Sequence, residues 1–286
     1  MATAIDLRAL EADLRRAVSG EVRFDATSRA LYSTDASLYC IPPVGVVLPR
    51  SAEDVAAVVN LCAAAGVAVL PRGGGTSLAG QTVNNAVVMD FSKHMRGVLE
   101  VNREQRWARV QPGIPLDELN NHLRPAGLHY TPDPTTSSRA TVGGTIGNNS
   151  CGAHSVLYGK TVDHIREVSV VLADGQPAHF RPLSGSEMET RLAHPGLEGA
   201  IYTSALAIAH ENAVEIDRRF PKIRRRVSGY NLDTVLTGPP TNLAKLIVGS
   251  EGTLAVVTEA KVNLEPLPKA RGLAILHFNS IVEAME

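Results

Sequence analysis

Cysteine is scarce and scattered in this chain. Cys40, Cys62 and Cys151 are odd in number, and no two are spaced as C-x-x-C. Neither a disulfide framework nor a zinc or iron–sulfur site is encoded by such a set. Charge of one sign is lacking too. The formal net charge is −1 over 286 residues, so nothing suggests a nucleic-acid or anionic-membrane surface. The apolar runs fall far short of a membrane span, so no transmembrane segment is expected. The opening MATAIDLRALEADLRR has no apolar core of a secretory signal. With few cysteines, this fits a reducing, cytoplasmic setting. The nine histidines include no H-x-H or H-E-x-x-H pair, so no metal motif is present. What is left is an ordinary globular balance, 44% hydrophobic and 20% charged, sufficient to bury a core.

Glycine is not scarce, and it is clustered. In PRGGGTSLAGQ (71–81), Gly73, Gly74 and Gly75 follow Pro71 and Arg72, precede Thr76 and Ser77, and are joined by Gly80 and Gln81. Glycine tolerates positive φ and lets a backbone approach a ligand closely. Successive N–H groups in such a turn form a nest for an anion such as phosphate. A bare GGG also reads as a linker. Here, however, it sits between two apolar runs, VAVL (67–70) and AVVMDF (86–91), that read as core strands. The dinucleotide fingerprint G-x-G-x-x-G fails, because Leu78 stands where its third glycine belongs. The P-loop fails for lack of its lysine. The stretch reads as a diphosphate cradle of a third kind.

Along the chain, Ile5, Leu7, Leu10 and Leu14 predict an amphipathic opening helix, and residues 21–39 are polar and turn-rich. IPPVGVVLP (41–49) predicts a strand. Ser51 then caps a helix with Glu53 and Asp54 in its first turn and Gly66 at its stop. With VAVL this makes a βαβ unit and a parallel pairing. Runs 97–101 and 107–113 predict a hairpin, and Pro115 to Leu123 a helix. Pro132 and Pro134 forbid helix over 128–140. A strand at 168–172 turns at Asp174-Gly175 onto a partner. Residues 184–220 are mostly helical, 224–236 basic then turn-like, and a long strand follows the turn at Gly249 and Gly252. The tail predicts a strand at 273–278 and a helix from Ser280.

Two further glycine stretches stand out. TVGGTIGNNSCG (141–152) reads as backbone packed on a flat ligand or as a glycine-rich turn between core elements. In VGSEGTLAVVTEA (248–260), Glu251 is placed to accept from a ribose, or is a solvated residue of a β-bulge or hairpin turn. The basic run Arg224 to Arg226 reads as a steering patch for an acidic substrate or as a solvated loop.

The three glycine segments in this order, with PDPTTSSRA (132–140) ahead of the second, resemble the FAD-binding domain of the vanillyl-alcohol-oxidase, or p-cresol methylhydroxylase, type. Within it the chain looks most like FAD-linked D-2-hydroxy acid dehydrogenases: glycolate oxidase subunits, D-lactate and D-2-hydroxyglutarate dehydrogenases. YSTDASLY (32–39) and CGAHSVLYGKTVDHI (151–165) are most like large members fused to an iron–sulfur region. The resemblance implies an α+β, two-lobed domain with a small parallel-sheet lobe, a larger mostly antiparallel lobe with helices, and FAD between them. It implies an N-terminal helical segment over 1–37, the FAD-binding domain over 38–268, and the start of a cap domain over 269–286. By position, the backbone N–H groups of Arg72 to Ser77 would wrap the pyrophosphate, with Pro71, Gly80 and Gln81 also binding the cofactor. Pro132, Asp133, Thr136, Gly143, Gly144, Gly147, Asn148, Asn149 and Gly152 would line the pyrophosphate and the isoalloxazine. Glu251 and Gly252 would sit by the adenosine half. The first loop holds no His, Cys or Tyr for covalent attachment, so the FAD is expected to be non-covalent. An iron–sulfur cluster and a divalent metal would belong only to C-terminal parts beyond this chain, as would the electron acceptor. The implied substrate is a small 2-hydroxy acid. The resemblance alone implies that Tyr230 stands near the flavin, and Cys151 is either a flavin contact or a small buried residue. No residue is assigned as the catalytic base.

Overall fold

The structure is a computed structural model and describes residues 6–270 and 272–286; Ile5 of the expected opening helix lies outside them. Helix α1 (Leu7–Ala17) starts at Asp6, whose carboxylate accepts from the N–H groups of Arg8 and Ala9. Its apolar stripe buries Leu10 and Leu14. The polar stretch after it is more regular than its composition suggests. It holds a short strand β1 (Glu21–Arg23) and a helix α2 (Ala26–Leu31), the latter capped by Asp25.

Strand β2 (Gly45–Leu48), helix α3 (Ala52–Ala64, capped by Ser51), β3 (Val69–Arg72) and β4 (Val87–Asp90) complete the first lobe. The sheet order is β1-β2-β4-β3. β2 and β3 run parallel as expected, but they do not touch. β4 inserts between them and pairs parallel with both. The more apolar strand takes the centre: every residue of β4 is buried, as a strand covered on both faces requires. Leu10, Leu14, Val55, Val58 and Cys62 pack on one face of this sheet with Val47, Val87 and Met89. Burial pushes the Cys62 thiol up to about 12, which makes it an inert core residue.

The second lobe begins with the hairpin β5 (Val98–Asn102) and β6 (Trp107–Val110), then helix α4 (Leu116–Leu123) and a short strand β7 (Leu128–His129). Three short helices follow: α5 (Val142–Asn148), α6 (Ser155–Tyr158) and α7 (Thr161–His164). Strands β8 (Ile165–Val171) and β9 (Pro177–Phe180) form the expected hairpin. Helices α8 (Ser186–Leu192), α9 (Leu197–Glu211), α10 (Ala213–Arg219) and α11 (Ala244–Ile247) come next, then β10 (Val256–Asn263), β11 (Glu265–Pro266) and α12 (Ile281–Met285). The five-stranded sheet has the order β5-β6-β10-β8-β9, antiparallel throughout. β10 alternates strictly, burying Val256, Thr258, Ala260 and Val262. Leu116, Leu119, Leu123, Val142, Ile146 and Tyr202 cover that face. The sheet's far end belongs to the other lobe: Val171 and Val256 pack in the core beneath α3. The fold is thus α+β and two-lobed.

The expected strand at 273–278 does not form. Residues 272–278 have no strand partner and expose Leu273, Ile275 and Leu276, while α12 starts at Ser280 as anticipated. An apolar run with strand composition becomes a strand only against a neighbour.

Candidate functional site

The three glycine segments converge on one cavity of about 380 Å³, within the range of small-ligand and cofactor sites. The first segment leaves β3 at Arg72 and runs to residue 82 without regular structure. Its glycines are needed for different reasons. Gly75 has φ +65° and Gly80 φ +82°, a region that L side chains avoid. Gly74 instead meets a wall: a Cβ there would lie 2.1 Å from the Arg139 carbonyl oxygen. The loop therefore threads along segment 139–144 at backbone distance.

Arg72 ends β3 with its side chain turned away from solvent. Its Nη1 donates to the carbonyls of Thr82 (2.9 Å) and Tyr32 (3.3 Å), and its Nη2 to that of Thr34 (2.8 Å). Burial lowers its pKa while Asp90 opposes the shift. The guanidinium thus holds neighbouring chain.

The second segment is not a turn. Residues 142–148 form helix α5, because Thr141 Oγ1 accepts from the Gly144 N–H and Val142 and Ile146 bury themselves in the large core. Three glycines disfavour a helix by about 1 kcal/mol each relative to alanine, so the cap and tertiary packing override propensity here. Gly143 has a local reason, since its Cβ would lie 2.6 Å from Pro112 Cβ. Gly147 has none: the nearest atom to its Cβ position is Glu251 Cα at 3.9 Å, and the residue lines the cavity. A methyl group there would meet no protein atom closer than 3.9 Å.

The third segment locks onto this helix. The N–H of Gly249 donates to Ile146 O (2.8 Å) and that of Glu251 to Gly147 O (2.9 Å). Asn148 Nδ2 donates to Glu251 Oε1 at 3.0 Å. Glu251 is held at φ +51°, a strained conformation for a non-glycine residue. Partial burial raises its carboxyl pKa, opposed by hydrogen bonds from Asn148 and Gln81.

Of the residues singled out from sequence, Pro71 to Ser77, Gln81, Thr136, Gly143, Gly144, Gly147, Asn148, Glu251 and Gly252 line the cavity. Gly80, Pro132, Asp133, Asn149 and Gly152 are not in the lining. Gly80 packs under the Tyr39 ring. Asn149 caps α5 at φ +56°, and its Oδ1 accepts from the Val162 N–H. Asp133 pairs with the His154 ring, and Gly152 backs onto Asp133. Sequence reasoning missed Leu78, Ala79, Thr141 and Ser250, which merely extend the motifs, and Phe91, Pro112 and Val257, which lie just after β4, just after β6 and near the start of β10. Val227 carries no sequence signal at all. Cys151 lies in the lining. Tyr230 donates to or accepts from Thr253 Oγ1 at 2.8 Å. Arg226 pairs with Asp233 at 2.7 Å and stacks on Phe220, away from the cavity. Arg224 and Arg225 donate to the Val156 and Gly152 carbonyls. His164 is buried, its pKa lowered by burial, between Thr131 and the Tyr158 carbonyl; it is a satisfied core histidine. Among the described residues no cluster of ligands could hold a metal, and no helix is long and apolar enough to cross a membrane.

A two-lobed α+β chain whose glycine segments line one cavity is compatible with a flavin-binding domain, and comparison with known proteins points the same way. Residues 43–181 match the family model of the FAD binding domain. Over that stretch the chain is similar to an FAD-binding domain. It is 39% identical over 280 residues to the D-2-hydroxyglutarate dehydrogenase of Pseudomonas putida, covering 96% of this chain and 28% of that one. It is 37% identical over 272 residues to the protein of the same name from Escherichia coli, covering 93% and 27%. With the glycolate oxidase subunit GlcD of Bacillus subtilis it shares 31% identity over 274 residues, 94% of this chain and 47% of that one. The chain therefore spans little more than a quarter of the dehydrogenases it matches. A solved alkyldihydroxyacetonephosphate synthase superposes with TM-score 0.64 at 22% identity, covering 92% of this chain and 44% of that one, a likeness of fold alone.

Proposed function

We propose that this chain is the FAD-binding part of an oxidoreductase that oxidises a D-2-hydroxy acid of the 2-hydroxyglutarate, lactate or glycolate type to the 2-oxo acid. The observation that carries the reading is the open space at Gly147, a helix glycine with no intramolecular need to be glycine, facing a cavity closed by the other two glycine segments. The relatives' names supply the substrate class.

When bound, FAD supplies a two-electron acceptor for the hydride leaving C2 of the hydroxy acid. The chain's own residues do the holding. Backbone N–H groups of Arg72 to Ser77 would hold the pyrophosphate, α5 would support the ring system, and Glu251 and Gly252 would stand by the adenosine half. The hydroxyl proton needs a positioned base and the substrate carboxylate a clamp. The ionisable side chains in the lining are Arg72, committed to carbonyls, Glu251, bonded to Asn148, and Cys151. Base and clamp are therefore assigned to parts of the longer protein beyond this segment, together with the electron acceptor. The name of the Bacillus subtilis relative, a subunit, favours a second form of the same reading, in which a partner chain completes the site.

The test is anaerobic mixing of the FAD-loaded chain with D-2-hydroxyglutarate, D-lactate and glycolate while flavin absorbance is followed. The expected result is a yellow protein that none of them bleaches. Rapid bleaching would show that the residues present suffice and would move attention to His154, Tyr230 and Arg226. A colourless chain that ignores added FAD would overturn the reading entirely.

A further inference from the structure

The segment just before the matched domain packs against the first glycine loop at several points. Residues 32–41 close on themselves through the Ile41 N–H to the Ser33 carbonyl (2.8 Å) and a bridge between Thr34 and Cys40. From this small loop, contacts reach the glycine segment along its length. Arg72 donates to the carbonyls of Tyr32 and Thr34 on one side and of Thr82 on the other. The Ala36 N–H donates to the Gly75 carbonyl at 3.1 Å. Asp35 Oδ2 accepts from Thr82 Oγ1 at 2.8 Å. The Tyr39 ring covers Gly80, where a Cβ would lie 2.6 Å from its Cδ2. Tyr32 donates its hydroxyl to Asp90 Oδ2 at 2.5 Å, and Asp90 is the β4 residue paired with Arg72. The Arg72 charge thus faces Asp90 across the sheet, with the Tyr32 ring 5.3 Å from the guanidinium.

None of residues 32–41 is in the cavity lining. They touch the loop from behind. A loop that holds a diphosphate by backbone N–H groups binds well only if those groups are fixed before the ligand arrives, and glycine-rich backbone is the least fixed of all. We propose that residues 32–39 are a strap that pre-orders the pyrophosphate loop, with Arg72 as the positioning residue that ties strap to loop. On this account Tyr32, Asp35 and Tyr39 contribute to cofactor affinity without touching the cofactor.

Two measurements test this on the full chain. First, amide hydrogen exchange is followed with and without FAD. Loading should slow exchange at 34–36 as well as at 73–77, because ordering the loop orders the strap in return. Protection confined to 73–77 would overturn the proposal. Second, FAD and ADP are titrated into Arg72→Gln. Both should bind about tenfold or more weakly, from the loss of charge-assisted hydrogen bonds, and exchange at 73–77 in the unloaded variant should rise above that of the wild type. Asp35→Ala, which leaves Arg72 in place, should reproduce the same direction with a smaller loss, and serves alone if Arg72→Gln does not fold. Affinities within about twofold of wild type would sink the idea. So would weakened binding with unchanged loop exchange and a lowered melting temperature, the signature of a general loss of stability. Failure of the wild-type chain to bind FAD at all would be seen in the first titration and would strike the flavin assignment itself.

Discussion

Asn148 and Glu251, 103 residues apart in sequence, are joined by one hydrogen bond of 3.0 Å across the cavity's edge. The bond makes Glu251 a link between α5 and the third glycine turn as well as a lining residue. Its carboxyl pKa is raised chiefly by burial. A folded pKa above the unfolded one means the folded state holds its proton longer. Stability therefore falls as pH rises from the ordinary value of 4.5 through the raised one. Glu251→Gln should remove that fall, so the variant gains stability relative to wild type as pH increases over this window. Melting temperatures of the two unloaded proteins from pH 4 to 8 (about the window set by a shifted carboxyl) check it. Glu251→Ala should weaken FAD binding by roughly one to two decades, the worth of one charged hydrogen bond.

The glycines separate ligand space from protein space. Gly74→Val drives a side chain into the Arg139 carbonyl, so it should lower the melting temperature and abolish FAD binding together. Gly147→Ala meets nothing within the chain closer than 3.9 Å and gains helix propensity of about 0.5–1 kcal/mol. It should hold or raise the melting temperature of the unloaded protein while weakening FAD binding. Normal FAD titration of Gly147→Ala would show that α5 does not face the cofactor.

A second pH effect has the opposite sign. Glu21 sits among Lys93, Arg23 and His94, whose hydrogen bonds hold its carboxyl at about 2 against an ordinary 4.5. A depressed folded pKa contributes stability above the unfolded value, and that stability is lost as pH falls through the folded one. Glu21→Gln should therefore be less stable than wild type at neutral pH, with the difference shrinking below 4.5 and gone near pH 2. Urea unfolding at a series of pH values measures it.

FAD should be held without a covalent bond. The first loop carries no side chain for attachment, and Cys151 is the one nucleophilic thiol in the described lining. Acid precipitation should release the yellow colour into the supernatant. Colour retained in the pellet of the wild type, and lost from that of Cys151→Ala, would show attachment there.

What could be read from sequence was local. The Ser51 cap, the Asp174-Gly175 turn and the alternation of β10 each state their structure within a few residues. The cavity-lining loop at 73–77 announced itself by composition. Strand order did not, because β4 enters between β2 and β3 by apolar burial on both faces, which no short window records. Helix α5 was hidden by its own glycines, since its formation depends on the Thr141 cap and on Ile146 entering a distant core. The task of the Arg72 side chain shows only once the carbonyls of Tyr32 and Thr34 are placed beside it. The strand expected at 273–278 failed for want of a neighbour to pair with.

Val256 begins the central strand of the large sheet, yet it packs with Val171 among the side chains of α3 and β2. Asn60 of α3 likewise presses on the β8–β9 turn at Gly175. The division into lobes is thus a division of sheets and not of folding units. Neither half can melt without stripping buried surface from the other, so denaturation should follow a single transition for probes placed in either sheet. With its two sheets tied through one core, the chain is expected to admit a cofactor by movement of loops and not of whole lobes.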